Sequence, residues 1–175
     1  MELSGLRICI TGGGGFVGSH LADRLVDDND LLVVDHFGNG RREWVPEGAA
    51  VIEGDLREPA VRREAIPDGT DLVFHFAADK AVDSDDPDAQ FRANTDLTAS
   101  VLERMADAGC RRIAFTSSST VYGEAPRPTP EDYAPLEPRN SPRRRFCRCT
   151  PTATGSTSGV SVSRTSSARG SSWGP

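Results

Sequence analysis

The sequence predicts an α/β fold: a doubly wound parallel sheet of five strands in the order 3-2-1-4-5, joined by right-handed crossovers. Three observations predict it. Short apolar runs alternate with longer stretches of helix formers from Leu6 to Thr116. A glycine cluster, Gly12 to Gly15 followed by Gly18, separates the first apolar run from the first helical stretch. The second apolar run closes on an acid, Asp35, 23 residues after Gly12 and 17 after Gly18. Strands separated by helices cannot pair as hairpins, so they pair in parallel, with ligand expected beyond their carboxyl ends.

The elements follow in order. Leu6 to Ile10 reads as a buried strand, and Ser19 to Val26 as the helix after the turn. In the spacing G-x-x-G-x-x-G, Gly12 permits the tight turn. Gly15 lets backbone amides approach a pyrophosphate, and Gly18 lets the helix pack on the strand. The positive end of the helix then faces the phosphates. No Gly-Lys-Ser/Thr follows, which excludes a Walker-type loop. Leu31 to Asp35 is the second strand. An acid at its end suits the adenosine ribose hydroxyls and disfavours a 2′-phosphate, so NAD is expected over NADP. His36 to Gly40, including Asn39 and Gly40, is a turn on the adenosine side. Ala50 to Glu53 is the third strand, and Pro59 opens a short helix to about Ile66. Asp71 to Phe76 is the fourth strand, running into Ala77 and Ala78. Pro87 starts a long helix, about Asp88 to Ala108, closed by Gly109. Arg112 to Thr116 is the fifth strand.

Composition bounds the function. A chain of 175 residues suits one domain with a real core. It has no apolar run of membrane-spanning length and no secretory leader pattern, so a cytoplasmic protein without membrane partners is expected. Residues 1–138 carry all 26 acidic residues against 13 basic ones, a charge of −13 that argues against nucleic acid as a partner. Residues 139–175 carry +7 and no acid. Lys80 is the single lysine. Cys9 and Cys110 read as small core residues. Cys147 and Cys149 cannot complete a tetrahedral site, so no metal is expected.

These motifs together resemble the NAD-dependent epimerase/dehydratase family of extended short-chain dehydrogenase/reductases. The resemblance rests on Thr11-Gly12-Gly13-Gly14-Gly15-Phe16-Val17-Gly18, Val34-Asp35, Gly54-Asp55-Leu56-Arg57, His75-Phe76-Ala77-Ala78, Asn94 and Phe115 through Gly123. The segment from His75 to Val82 is most similar to UDP-glucose 4-epimerases. The resemblance implies a Rossmann-like domain over residues 1–138, with NAD as cofactor. It implies that Phe16 and Val17 offer amides to the pyrophosphate, Asp35 holds the adenosine ribose, and Asp55 and Leu56 contact adenine. Phe76, Ala77, Ala78 and Lys80 line the cofactor, and Asn94 supports their loop. Ser118 is implied as the active-site hydroxyl. A nucleotide-sugar substrate and a homodimer are implied for intact members. The implied chemistry is transient oxidation of the sugar by hydride transfer to NAD. A Tyr-x-x-x-Lys pair on one helix face takes the hydroxyl proton.

The sequence departs from that pattern. Tyrosine stands only at Tyr122 and Tyr133, and four residues on are Pro126 and Glu137. The Tyr/Lys pair does not occur in these residues, and the smaller sugar-binding domain is expected to be missing with it. From Arg139 the chain turns Arg-, Ser- and Thr-rich and low in complexity, a disordered tail by composition. A shifted reading frame fits it better. Arg144 to Thr150 encoded as CGA AGG TTC TGC AGG TGT ACG gives, from the third base, Lys-Val-Leu-Gln-Val-Tyr. Continued through Gly170, the frame can give a helix and strand similar to the family's next elements. A small deletion at Pro142 is the expectation, leaving an inactive epimerase remnant. The alternatives are a non-catalytic NAD-binding module and a nucleotide-sugar dehydratase remnant.

Overall fold

The structure is a computed structural model that describes residues 3–79 and 87–116, together with Pro130. Its five strands are β1 (Arg7–Thr11), β2 (Asp30–Asp35), β3 (Ala50–Glu53), β4 (Leu72–His75) and β5 (Ile113–Phe115). They form one sheet in the order β3-β2-β1-β4-β5, each neighbouring pair parallel. This is the order predicted from the sequence. The helices are α1 (Phe16–Leu25), α2 (Pro59–Ala65) and α3 (Pro87–Asp107), with a 3₁₀ turn at Arg42–Trp44. No described helix is long and apolar enough to cross a membrane. The tail 139–175, with Cys147 and Cys149, lies outside the described residues.

Period-2 alternation divides the core between the two sheet faces. Ile8 and Ile10 of β1 pack with Leu31 and Val33 of β2 against Ala22 and Leu25 of α1. Cys9, Val34 and Val73 point the other way, onto Ala65 of α2 and Leu97, Val101 and Met105 of α3. Cys9 is buried and unpaired, and desolvation pushes its thiol up to about 12.

Element ends depart from the sequence reading for local reasons. β1 runs on to Thr11, which pairs with Val34 on one side and His75 on the other. α1 begins at Phe16, three residues earlier than expected. Gly15 serves as its N-cap, and the Ser19 amide closes the first turn on the Gly15 carbonyl at 2.9 Å. α3 ends in a Schellman arrangement: the Cys110 amide reaches the Met105 carbonyl at 2.9 Å, the Gly109 amide reaches Ala106 at 3.2 Å, and Gly109 takes φ +73°.

Candidate functional site

A cleft opens at the carboxyl edge of the sheet, where β1, β2, β3 and β4 all deliver their following loops. The glycine turn forms one wall, and close packing dictates its residues. Gly12 sits at φ +70°, and a side chain there would meet the Ala77 nitrogen at 2.7 Å. A side chain at Gly18 would meet the Gly12 carbonyl oxygen at 2.5 Å. Only hydrogen fits where the loop, the β4 end and α1 converge. Gly12 and Gly15 line the cleft, whereas Gly18 lies buried behind the turn. α1 has no side-chain cap and no acid in its first turn. Its first-turn amides, which include Phe16 and Val17, therefore suit an anionic group supplied from outside. The Phe16 and Val17 side chains themselves point to solvent, 69% and 54% exposed.

Asp35 stands at the end of β2 and lines the cleft. One carboxylate oxygen accepts from the Gly14 amide at 2.9 Å and the other from the Phe37 amide at 2.8 Å. Phe37 adopts φ 54°, a left-handed turn that Asp35 thereby holds. Asn39 and Gly40 flank it on the cleft wall. Gly40 packs so closely that a side chain would meet the same Asp35 oxygen at 3.0 Å.

Asp55 and Leu56 enter from the loop after β3. The Arg57 guanidinium grips Asp55, with Nε 3.0 and 2.9 Å from its two oxygens. That hydrogen bond, foremost, holds the Asp55 carboxyl below its usual range. The sequence reading did not single out Arg57 for the site; its place two residues after Asp55 was the available signal.

Phe76, Ala77 and Ala78 follow β4 into the cleft. Asn94, on α3, does not line the cleft. Its side chain accepts from the Asp79 amide at 2.7 Å and donates to the Asp79 carbonyl at 3.0 Å. Lys80 and Ser118 lie outside the described residues, as do Tyr122 and Tyr133. Beneath the cleft, Thr11, fully buried, bonds His75 Nδ1 through Oγ1 at 2.7 Å. The sequence reading gave neither of these two residues a role of its own. Among the described residues no cluster of His, Cys, Asp or Glu could hold a metal.

A parallel sheet in this order, a glycine turn feeding an uncapped helix and an acid closing β2 define the class: an α/β domain of the Rossmann-like kind. The family model for the NAD dependent epimerase/dehydratase family matches residues 8–143, and the chain belongs to that family. A UDP-glucose 4-epimerase of Streptomyces lividans is 35% identical over 139 residues, covering 77% of this chain and 42% of that protein. The structure of Thermus thermophilus UDP-glucose 4-epimerase in complex with NAD is similar at a TM-score of 0.61 and 31% identity, over 80% of this chain and 47% of that one. A UDP-N-acetylglucosamine 4-epimerase of Methanobrevibacter ruminantium is similar at a TM-score of 0.67 and 28% identity, over 83% and 49%. The match thus spans less than half the length of each of these relatives.

Proposed function

We propose that the chain is the NAD-binding portion of a UDP-glucose 4-epimerase-type enzyme, and that this 175-residue form is catalytically inactive. The observation that carries the NAD reading is the glycine turn. It is packed too tightly for any side chain at Gly12 or Gly18, and it feeds a helix that no side chain caps. The α1 amides of Phe16 and Val17 hold the pyrophosphate at the positive helix end. Asp35 binds the adenosine ribose with the lone pairs its two backbone partners leave, since a carboxylate offers about four acceptor sites. Asp55 and Leu56 face adenine, and Phe76, Ala77, Ala78 and Lys80 flank the rest of the cofactor. NAD, once bound, supplies the hydride acceptor for a sugar alcohol. Ser118 is the hydroxyl this chain offers that sugar, and no Tyr-x-x-x-Lys pair stands in the sequence to take the proton. Residues 139–175 are a frame-shifted tail with no role in binding. The missing pair equally suits a second reading, a non-catalytic NAD-binding module. A gene sequence through the codon for Pro142 discriminates the two: a downstream frame encoding the missing half supports the remnant, and its absence supports the module.

Titration calorimetry of the purified chain with NAD and with NADP tests the binding. Saturable NAD binding, with NADP at least about tenfold weaker, is expected from the carboxylate at the ribose. Equal affinity for the two, or none for either, would overturn it.

A further inference from the structure

We propose that His75 is a positioning residue for this dinucleotide site. As a neutral ring protonated on Nε2, it sets the backbone that floors the cleft from Phe76 to Asp79. The inference rests on the reading that the cleft binds NAD.

Counting hydrogens assigns the ring. Thr11 Oγ1 lies 3.2 Å from both the Phe76 and the Ala77 amide nitrogens and accepts from both, the Phe76 amide sharing its proton with the Thr11 carbonyl at 3.1 Å. A hydroxyl has two lone pairs and one proton, so the proton is left for His75 Nδ1 at 2.7 Å. His75 Nδ1 is therefore an acceptor. The other side of the ring gives the same answer independently. Thr98 spends its hydroxyl proton on the Asn94 carbonyl at 2.9 Å. Its oxygen can then only accept from His75 Nε2, 3.3 Å away. Both ends agree on one tautomer, Nε2–H, and a charged ring would leave the Thr11 hydroxyl proton facing a second proton on Nδ1.

The ring thus joins the two anchors of one segment. Thr11 holds the segment's start through the Phe76 and Ala77 amides. Asn94, whose carbonyl accepts from Thr98, holds its end through both polar groups of the Asp79 backbone. The segment has no slack toward the cleft, because the Ala77 nitrogen already lies 2.7 Å from where a Gly12 side chain would begin. A shift at the β4 end moves the floor under the glycine turn. Among the described residues, the groups facing the ring from β1, α3 and β5 are Thr11, Thr98 and the stacked Phe115 ring at 5.7 Å, and none of them titrates.

The test uses the full 175-residue chain. Nitrogen-15 spectra of the His75 ring without NAD should show Nδ1 bare and Nε2 protonated at neutral pH; the opposite tautomer would overturn the proposal. His75→Asn keeps an acceptor in the Nδ1 position, whereas His75→Phe keeps only bulk. Loss of one buried hydrogen-bond partner corresponds to roughly a tenfold effect. NAD should therefore bind His75→Phe about tenfold or more weakly, with faster hydrogen exchange at the Ala77 amide, and His75→Asn should recover most of both. His75→Phe binding NAD as tightly as the native chain would overturn the proposal. Should that variant fail to fold, Thr11→Val and its rescue by Thr11→Ser ask the same question through the hydroxyl. The ring spectra and amide exchange need no NAD, so a native chain that binds none refutes the proposed function while the assignment of His75 is still decided.

Discussion

Asp35 does two jobs with one carboxylate. It ties Gly14 of the glycine turn to Phe37 of the loop after β2, and it faces the cleft. Asp35→Ala removes the acceptor of two part-buried amides, each costing about 1–3 kcal/mol when left unpaired. A ribose hydrogen bond to a carboxylate is worth roughly 1.5–3 kcal/mol, so NAD affinity should also fall by tens of fold or more. Thermal melts with and without NAD separate the effects: a variant with native stability but weakened binding would show that the backbone ties contribute nothing. His75 gives a second residue-scale prediction. Burial drops its pKa from 6.5 to about 4. Between those values the unfolded chain binds the proton and the folded chain resists it. Stability is thus undiminished above pH 6.5 and declines as pH falls toward 4, by up to roughly 3 kcal/mol in total. Denaturant unfolding of the native chain and His75→Asn across pH 4–7.5 should give curves that converge as pH falls; parallel curves would refute the shift.

At the scale of elements, two left-handed glycines separate folding from binding. Gly109 closes α3 at φ +73° with open space around it, whereas Gly12, at φ +70°, is also hemmed in by the β4 end. Gly109→Ala should cost about 1 kcal/mol of stability, the penalty of that backbone conformation alone, and leave NAD affinity unchanged. Gly12→Ala adds a steric clash to the strain and should cost several times more, with loss of binding; equal costs on denaturation would contradict the packing. The β1–turn–α1 unit and the alternation of strands with helices were legible in the sequence because their determinants are local. Glycine spacing, short continuous apolar runs and proline at the start of α2 each act within a few residues. The second job of Asp35 and the relay through His75 were not. Gly14 is 21 residues from Asp35, and Thr11 is 64 from His75, so those partnerships exist only once the sheet has ordered them. The early start of α1 at Phe16 was missed for a related reason. Phe and Val are mediocre helix formers, and the tight closure on Gly15 overrides their propensity.

For the whole molecule, the prediction is that the 175-residue chain does not convert UDP-galactose to UDP-glucose, even when saturated with NAD. A positioned acid–base group contributes roughly 10²–10⁴-fold, and orientation of a bound sugar roughly 7–11 kcal/mol; no Tyr-x-x-x-Lys pair stands in these 175 residues for the first, and their match spans less than half of the relatives that would supply the second. A coupled assay on this chain and on one with the frame restored at Pro142 should find turnover only in the repaired protein. Turnover by the shorter chain would end the inactive reading, and a folded but silent repaired chain would end the epimerase assignment. The architecture also builds in a means of watching itself open. Cys9 lies on the innermost strand, and its thiol, held near pKa 12, has almost no thiolate at neutral pH for an alkylating reagent to find. Unfolding returns it to an ordinary thiol. In a chain whose other three cysteines are replaced by serine, the rate at which Cys9 is alkylated becomes a clock for how often the centre of the sheet comes apart.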